Sequence, residues 1–297
     1  MKKTITVLLF IAGIAMTTFG QDINQTYVDK RGKTHLIGQC NRAGLEQDTF
    51  PWFKFNYDFY KPNPKLVKKS KRKLKNIEIQ IFMGTWCGDS RREVPRFYKV
   101  LDALKFDMNK VELVNLSNKK GMYKQSPTGE EKGKFIHRVP TFIVYKEGKE
   151  IGRIVESPIT SLEMDLAQML NGLPTAPQYQ IVNKVEELLN SKKIPSERKE
   201  LLEIARAVQH LRQSDSPLNS YGYLMMGREQ IDKAIAIFTI NAMLYSKVPN
   251  VYDSLAEAYE KKGNLKKALN YYERFLKLQP NEKRVQKKVA TLKEQIG

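Results

Sequence analysis

Residues 84–90 read GTWCGDS, and Cys87 within them is one of two cysteines in the 297-residue chain, the other being Cys40. A cysteine thiolate serves as nucleophile, as metal ligand or as half of a disulfide, and its neighbours decide which. No metal or other cofactor is expected, because His35, His137 and His210 stand at no ligand spacing. Three residues after Cys87 stands Ser90 rather than a second thiol, so Cys87 can form a mixed disulfide but has no adjacent group to release it. Asp89 beside it favours the neutral thiol, Arg91 and Arg92 favour the thiolate, and the Ser90 hydroxyl is a candidate donor to it. Cys40, upstream in LIGQCNRAG, reads either as a buried free thiol or as a resolving thiol for Cys87.

The elements that must position these residues are marked by apolar spacing. IEIQIFMG (77–84) has the bounded, β-branched character of a buried strand, and RREVPRFYKVLDAL (91–104) has apolar residues at helical spacing despite Pro95. Cys87 therefore falls where a strand turns into a helix, a place where free N–H groups and the helix dipole favour negative charge. Further strands are expected at KVELVNL (110–116), PTFIVY (140–145) and EIGRIVE (150–156), with a helix at SLEMDLAQML (161–170). A long polar insert separates Asn115 from Phe135. The order predicts a mixed sheet with helices on both faces.

Two segments make a specific resemblance. WCGDSRREVP, with Trp86 before the cysteine and Pro95 eight residues after it, and RVPTFIVYKEGKEIGRIVE, with Val139-Pro140-Thr141, resemble the active-site segment and the cis-proline loop of the thioredoxin family. The resemblance covers about residues 60–172 and, with the insert, comes nearest to secreted envelope thioredoxin-like proteins. It implies Cys87 as nucleophile, with Trp86 and Ser90 in its motif, and Val139, Pro140 and Thr141 as the platform for an extended substrate peptide. The chain departs from the family twice: Ser90 replaces the resolving cysteine, and Ile81 stands where a buried acid is usual. Three outcomes follow: an external thiol resolves the intermediate, Cys40 does, or the module only binds.

Beyond the Pro- and Gly-bearing NGLPTAP (171–177), residues 178–296 read as helix throughout, with starts signalled at Ser196 and at Pro249-Asn250. Within them Gly222 matches Ala256, Ala234 matches Ala268 and Phe238 matches Tyr272, at an offset of about 34 residues. That period resembles tetratricopeptide repeats, one weak copy at about 215–248, in which Asn241 takes a usually small position, and one close copy at 251–281. In such arrays the first helix of each repeat lines a groove. In the second copy this face carries Asn250, Asp253, Glu257 and Glu260, an acidic stripe that reads as a solvated helix face or as a site for a basic or amine-bearing partner segment or for the basic helix at 61–75.

The chain is strongly basic, with a formal net charge of +19, and its densest basic block is KPNPKLVKKSKRKLK at 61–75. Leu66, Val67, Ser70 and Leu74 fall near one side of a helix there, which makes the lysines a solvated face; the other reading is contact with a polyanion or membrane. Lys2 and Lys3, the apolar run that follows and the small residues before Gln21 mark residues 1–20 as a signal peptide, and no later stretch is apolar enough to span a membrane. The expected organisation is a signal peptide (1–20), an irregular lead-in (21–59), a thioredoxin-like α/β domain (60–172), a linker with capping helices (173–214), two tetratricopeptide repeats (215–283) and a capping helix (284–297). The function expected is thiol–disulfide exchange on envelope proteins in the periplasm or outside the cell, with the repeats docking protein partners and nucleic acid out of reach. The alternative is a non-catalytic scaffold that uses both parts for binding alone.

Overall fold

The computed structural model describes residues 23–119, 121–173, 178–190, 194–195 and 197–297. The expected signal peptide, Pro174–Pro177 of the boundary and the helix-start signal at Ser196 lie outside these residues. The lead-in is not irregular. It opens with a hairpin of β1 (Thr26–Val28) and β2 (Thr34–Leu36), whose turn is tied by Asp29 Oδ1 accepting the backbone N–H of Arg31 and Lys33. Gly32 supplies the left-handed backbone that turn needs, with φ of 74°. Next, β3 (Gly38–Cys40) pairs antiparallel with the main sheet, Cys40 facing Leu113. α1 (Arg42–Leu45) and α2 (Trp52–Phe59) follow, then α3 (Pro64–Ser70) in the basic block. Strands of three residues carry too few alternations to be read from periodicity, which is why this part is silent in the sequence.

β4 (Ile77–Met83) leads into α4 (Gly88–Leu104), which returns to β5 (Val111–Asn115) lying parallel to β4. β6 (Thr141–Lys146) and β7 (Lys149–Val155) form an antiparallel hairpin on the other side of β4, and α5 (Leu162–Leu170) completes the unit. The five-stranded mixed sheet has the order β3-β5-β4-β6-β7. Ile77, Ile79, Ile81 and Met83 point to one face, where Val94, Phe97, Leu101 of α4 and Leu162, Leu166 of α5 close the core. Phe97 meets Phe142 with ring centroids 4.5 Å apart.

Among the described residues, helices pack on one face of the sheet only. α2, α3, α4 and α5 pack together on the first face, whereas the second is covered by the insert that follows β5. The strand alternation explains this. The second face carries the exposed Glu78 and Glu112 at one end, which need no cover, and the buried Phe82, Val114, Ile143 and Val139 toward Cys87. Ile136 and Leu116 of the insert close that apolar end.

The remainder is helical: α6 (Gln180–Asn190), α7 (Arg198–Val208), α8 (Ser216–Gly227), α9 (Ile231–Leu244), α10 (Pro249–Lys261), α11 (Leu265–Leu278) and α12 (Lys283–Ile296). α8 with α9, and α10 with α11, are the two expected hairpins, flanked by α6, α7 and α12. The matched small residues sit at the crossings: a Cβ on Gly222 would lie 2.3 Å from the Phe238 ring. Asn241 is tolerated because its Nδ2 donates to Asp215 O at 3.1 Å.

The two parts meet through the insert. Phe135 and His137 lie against Tyr221 of α8, with ring centroids 5.5 and 6.1 Å away, Arg138 donates to Ser220 Oγ, and Arg228 donates to Lys124 O. His137 is buried there, and burial, then the cations Lys124 and Arg138, push it down to about 3, so it is neutral.

Candidate functional site

The turn between β4 and α4 is built to hold Cys87 at the helix start. Cys87 N–H donates to Gly84 O at 2.9 Å, and Gly84 N–H donates to Ser90 Oγ at 3.2 Å. Gly84 is required because a Cβ would lie 2.5 Å from the Trp86 indole. Trp86 Nε1 in turn donates to Leu116 O at 2.7 Å, and Arg91 Nε donates to Thr85 O at 2.6 Å. Cys87 is the N-cap residue of α4 and is half-buried. Its Sγ–H donates to Val139 O at 3.2 Å, and the Val139–Pro140 bond that follows is cis. Thr141 Oγ1 donates to Arg138 O at 2.8 Å, which spends its hydroxyl on the loop itself. Trp86, Cys87, Ser90, Val139, Pro140 and Thr141 are thus assembled at one end of the sheet.

Ser90 is fully buried, and its oxygen accepts from Gly84 instead of serving the sulfur. Asp89 and Arg92, read from sequence as opposing influences on Cys87, pair with each other at 2.8 Å, and Arg92 also reaches Glu93 at 2.6 Å. Ile81 is fully buried in the apolar core.

Cys40 does not reach the site. It lies on β3, two strands from β4, and packs into the core on the α4 face, while Cys87 joins the cluster on the opposite face. Two strand spacings are roughly 10 Å, beyond the ~7 Å between Cα atoms that a disulfide spans. Both cysteines are free, and burial pushes Cys40 up to about 11. Resolution of a Cys87 intermediate by Cys40 is therefore ruled out by the fold.

Two insert residues belong to the site and went unread in the sequence. The Tyr123 ring lies 5.7 Å from that of Trp86, and Lys124 is buried beside it with Nζ donating to His137 O at 2.7 Å. Burial lowers Lys124 to about 8, and the nearby Arg138 acts in the same direction. The insert is held by Glu131, which accepts from Ser126 N at 3.1 Å. Nothing periodic marks it, because its cover is made by single side chains on irregular backbone.

The acidic stripe on α10 is met within the chain by α12 and not by the 61–75 helix. α12 supplies the counter-charges: Arg284 pairs with Asp253 at 2.6 Å and approaches Glu257 at 3.9 Å, and Lys288 pairs with Glu260 at 2.7 Å. Tyr223 donates to Glu257 at 2.7 Å, so matched positions of the two helical hairpins are in contact. Asn250 lends its carbonyl to Ser254 Oγ. The lysines of α3 are exposed, as a solvated face requires.

Among the described residues no three or more His, Cys, Asp or Glu converge as a metal would require. No described helix is long and apolar enough to cross a membrane. Residues 249–282, which contain α10 and α11, match the family described as Tetratricopeptide repeat. No curated protein matches the chain.

Proposed function

We propose that this is an exported thiol–disulfide exchange protein of thioredoxin-like type, acting on envelope proteins through Cys87 and docking them through its helical part. The observation that carries the reading is the position of Cys87: N-cap of α4, half-buried, with Sγ 3.2 Å from Val139 O at the cis-proline loop. A structural cysteine needs none of these, and Cys40, buried among apolar side chains, has none of them. The sheet order and the helix following β4 are compatible with the thioredoxin fold that the two motifs suggest. The tetratricopeptide repeat supports a role in protein interaction.

In this reading the Cys87 thiolate attacks one sulfur of a substrate disulfide. The substrate S–S bond breaks, a mixed disulfide forms and the other substrate sulfur leaves as thiolate. With Ser90 in place of a resolving thiol and Cys40 out of reach, that released thiolate or an external thiol attacks the mixed disulfide and returns Cys87. Attack by the substrate's own thiolate is isomerisation and requires no net oxidant. The peptide segment beside the attacked sulfur runs along Val139, Pro140 and Thr141.

The test is mass spectrometry of the protein taken from cells after acid quenching and thiol trapping. Mixed disulfides on wild-type Cys87, absent in Cys87→Ser, are the expected result; a Cys87 that is always free overturns the reading. The scaffold reading is favoured by the buried, internally bonded Ser90, and predicts that Cys87→Ser retains every partner of the parent.

A further inference from the structure

Beside Trp86 lies a cleft of about 800 Å³ lined by Lys30, Arg31, Lys33, Arg91 and Lys119, with Asp29 as its carboxylate. Its cations differ from the paired arginines of the sheet unit. Arg42, Arg92, Arg96, Arg138 and Arg153 are each paired with a carboxylate, whereas among the described residues none of the five in the cleft has such a partner. Asp29 is committed to the fold: it accepts from Arg31 N and Lys33 N and faces His35 Nε2 at 3.1 Å. Those contacts, the backbone N–H of Lys33 first, pull it down to about 2.

We propose that this cleft binds an acidic polypeptide segment next to the cysteine on which Cys87 acts. The proposal rests on the thiol-exchange reading for the role of Cys87, and on the cleft for the rest. The five cations come from three stretches of chain, the β1–β2 turn, the first turn of α4 and the start of the insert, and together line one cleft of about 800 Å³, far larger than a small anion. A single small anion meets only part of such an arrangement; a chain with several carboxylates meets all of it. The cleft is edged by Trp86 and Arg91, which flank Cys87 in the chain on the turn into α4. Arg91 is aimed by its bond to Thr85 O, and Lys119 lies 4.5 Å over the Tyr27 ring, which keeps both at the cleft wall.

The test uses the full chain and two fluorescein-labelled peptides, one alternating Glu with Ser and one alternating Gln with Ser. By fluorescence anisotropy the acidic peptide binds and the neutral one does not, the affinity falls with added salt, and Cys87→Ser binds like the parent. The variant Lys30→Gln/Arg31→Gln/Lys33→Gln/Lys119→Gln weakens binding by at least about tenfold, four exposed charges each contributing a few tenths of a kcal/mol. A charge-matched variant on α3 and the turn after it, Lys65→Gln/Lys68→Gln/Lys69→Gln/Arg72→Gln, leaves binding unchanged; an equal loss there means diffuse attraction to a basic protein and overturns the proposal. Displacement by glutathione or inorganic phosphate at the peptide's own affinity overturns it as well. In a second arm each peptide carries one cysteine activated as a 2-thiopyridyl disulfide. Cys87 attacks the peptide sulfur, a new S–S bond forms and 2-thiopyridone leaves with the bonding pair, read by its absorbance. The acidic peptide reacts about tenfold faster than the neutral one in the parent and equally fast in the cleft variant, following its occupancy. If both react equally in the parent, the cleft proposal fails and the thiol reading stands; if neither reacts while the anisotropy difference holds, the thiol reading fails and the cleft stands.

Discussion

At the scale of single residues, the site turns on what replaces the second thiol. Ser90 is buried and occupied as acceptor for Gly84 N–H, so position 90 is fixed in place behind Cys87. Residues three apart at a helix start have Cα atoms about 5–6 Å apart, within disulfide range. Ser90→Cys is therefore expected to close an internal disulfide with Cys87 on mild oxidation, leaving Cys40 as the sole thiol. Thiol titration in denaturant before and after oxidation checks this, and two thiols blocked separately would show that the turn holds the sulfurs apart. The same variant gives up a good acceptor for Gly84 and loses about 1 kcal/mol of stability when reduced. Cys87, Trp86 and the Val139–Thr141 loop were readable because each sits in a contiguous motif. Tyr123 and Lys124 were not, since their place beside Trp86 depends on how an aperiodic insert folds back.

At the scale of elements, the helical hairpins depend on small residues at their crossings. In an open helix Gly→Ala stabilises by about 1 kcal/mol. At position 222 the added methyl would lie 2.3 Å from the Phe238 ring, and overpacking of that kind costs about 1–3 kcal/mol. The clash wins, so Gly222→Ala is expected to lower the urea midpoint without changing the slope. On α12, Arg284 neutralises Asp253, which is nearly buried. Arg284→Ala is expected to cost about 1 kcal/mol, discounted because Arg284 is half-exposed, with part restored in Arg284→Lys. Thermal unfolding at low and high salt reads this, and the gap between parent and variant should shrink as salt rises. The repeat period was legible in sequence because stacked hairpins impose it residue by residue. The occupant of the acidic stripe was not, because α12 meets α10 only after the chain has turned back past α11.

At the scale of the whole molecule, the insert joins the sheet to the helical part, and His137 lies in that seam with Nε2 unpartnered. Its value of about 3 in the fold lies below the ordinary 6.5, so the unfolded chain takes up the proton first as pH falls. The contribution of this residue to stability is complete above about pH 6.5 and is lost progressively toward pH 3, at up to about 1.4 kcal/mol per pH unit. His137→Gln should therefore unfold with a shallower acid branch than the parent between these limits, as measured by urea titrations at stepped pH; parallel curves would show that His137 is protonated without cost. Sequence alone determined the main strands and helices, the thiol at a strand-to-helix turn, the proline loop and the repeat register, because each follows from local periodicity or from residues adjacent in the chain. Tertiary structure decided the rest: that Cys40 and Cys87 lie on opposite faces of one sheet, that an insert and not a helix covers the Cys87 face, and that the chain's own last helix answers the acidic stripe. Those facts depend on which distant segments share a face, and burial is settled only when the faces meet.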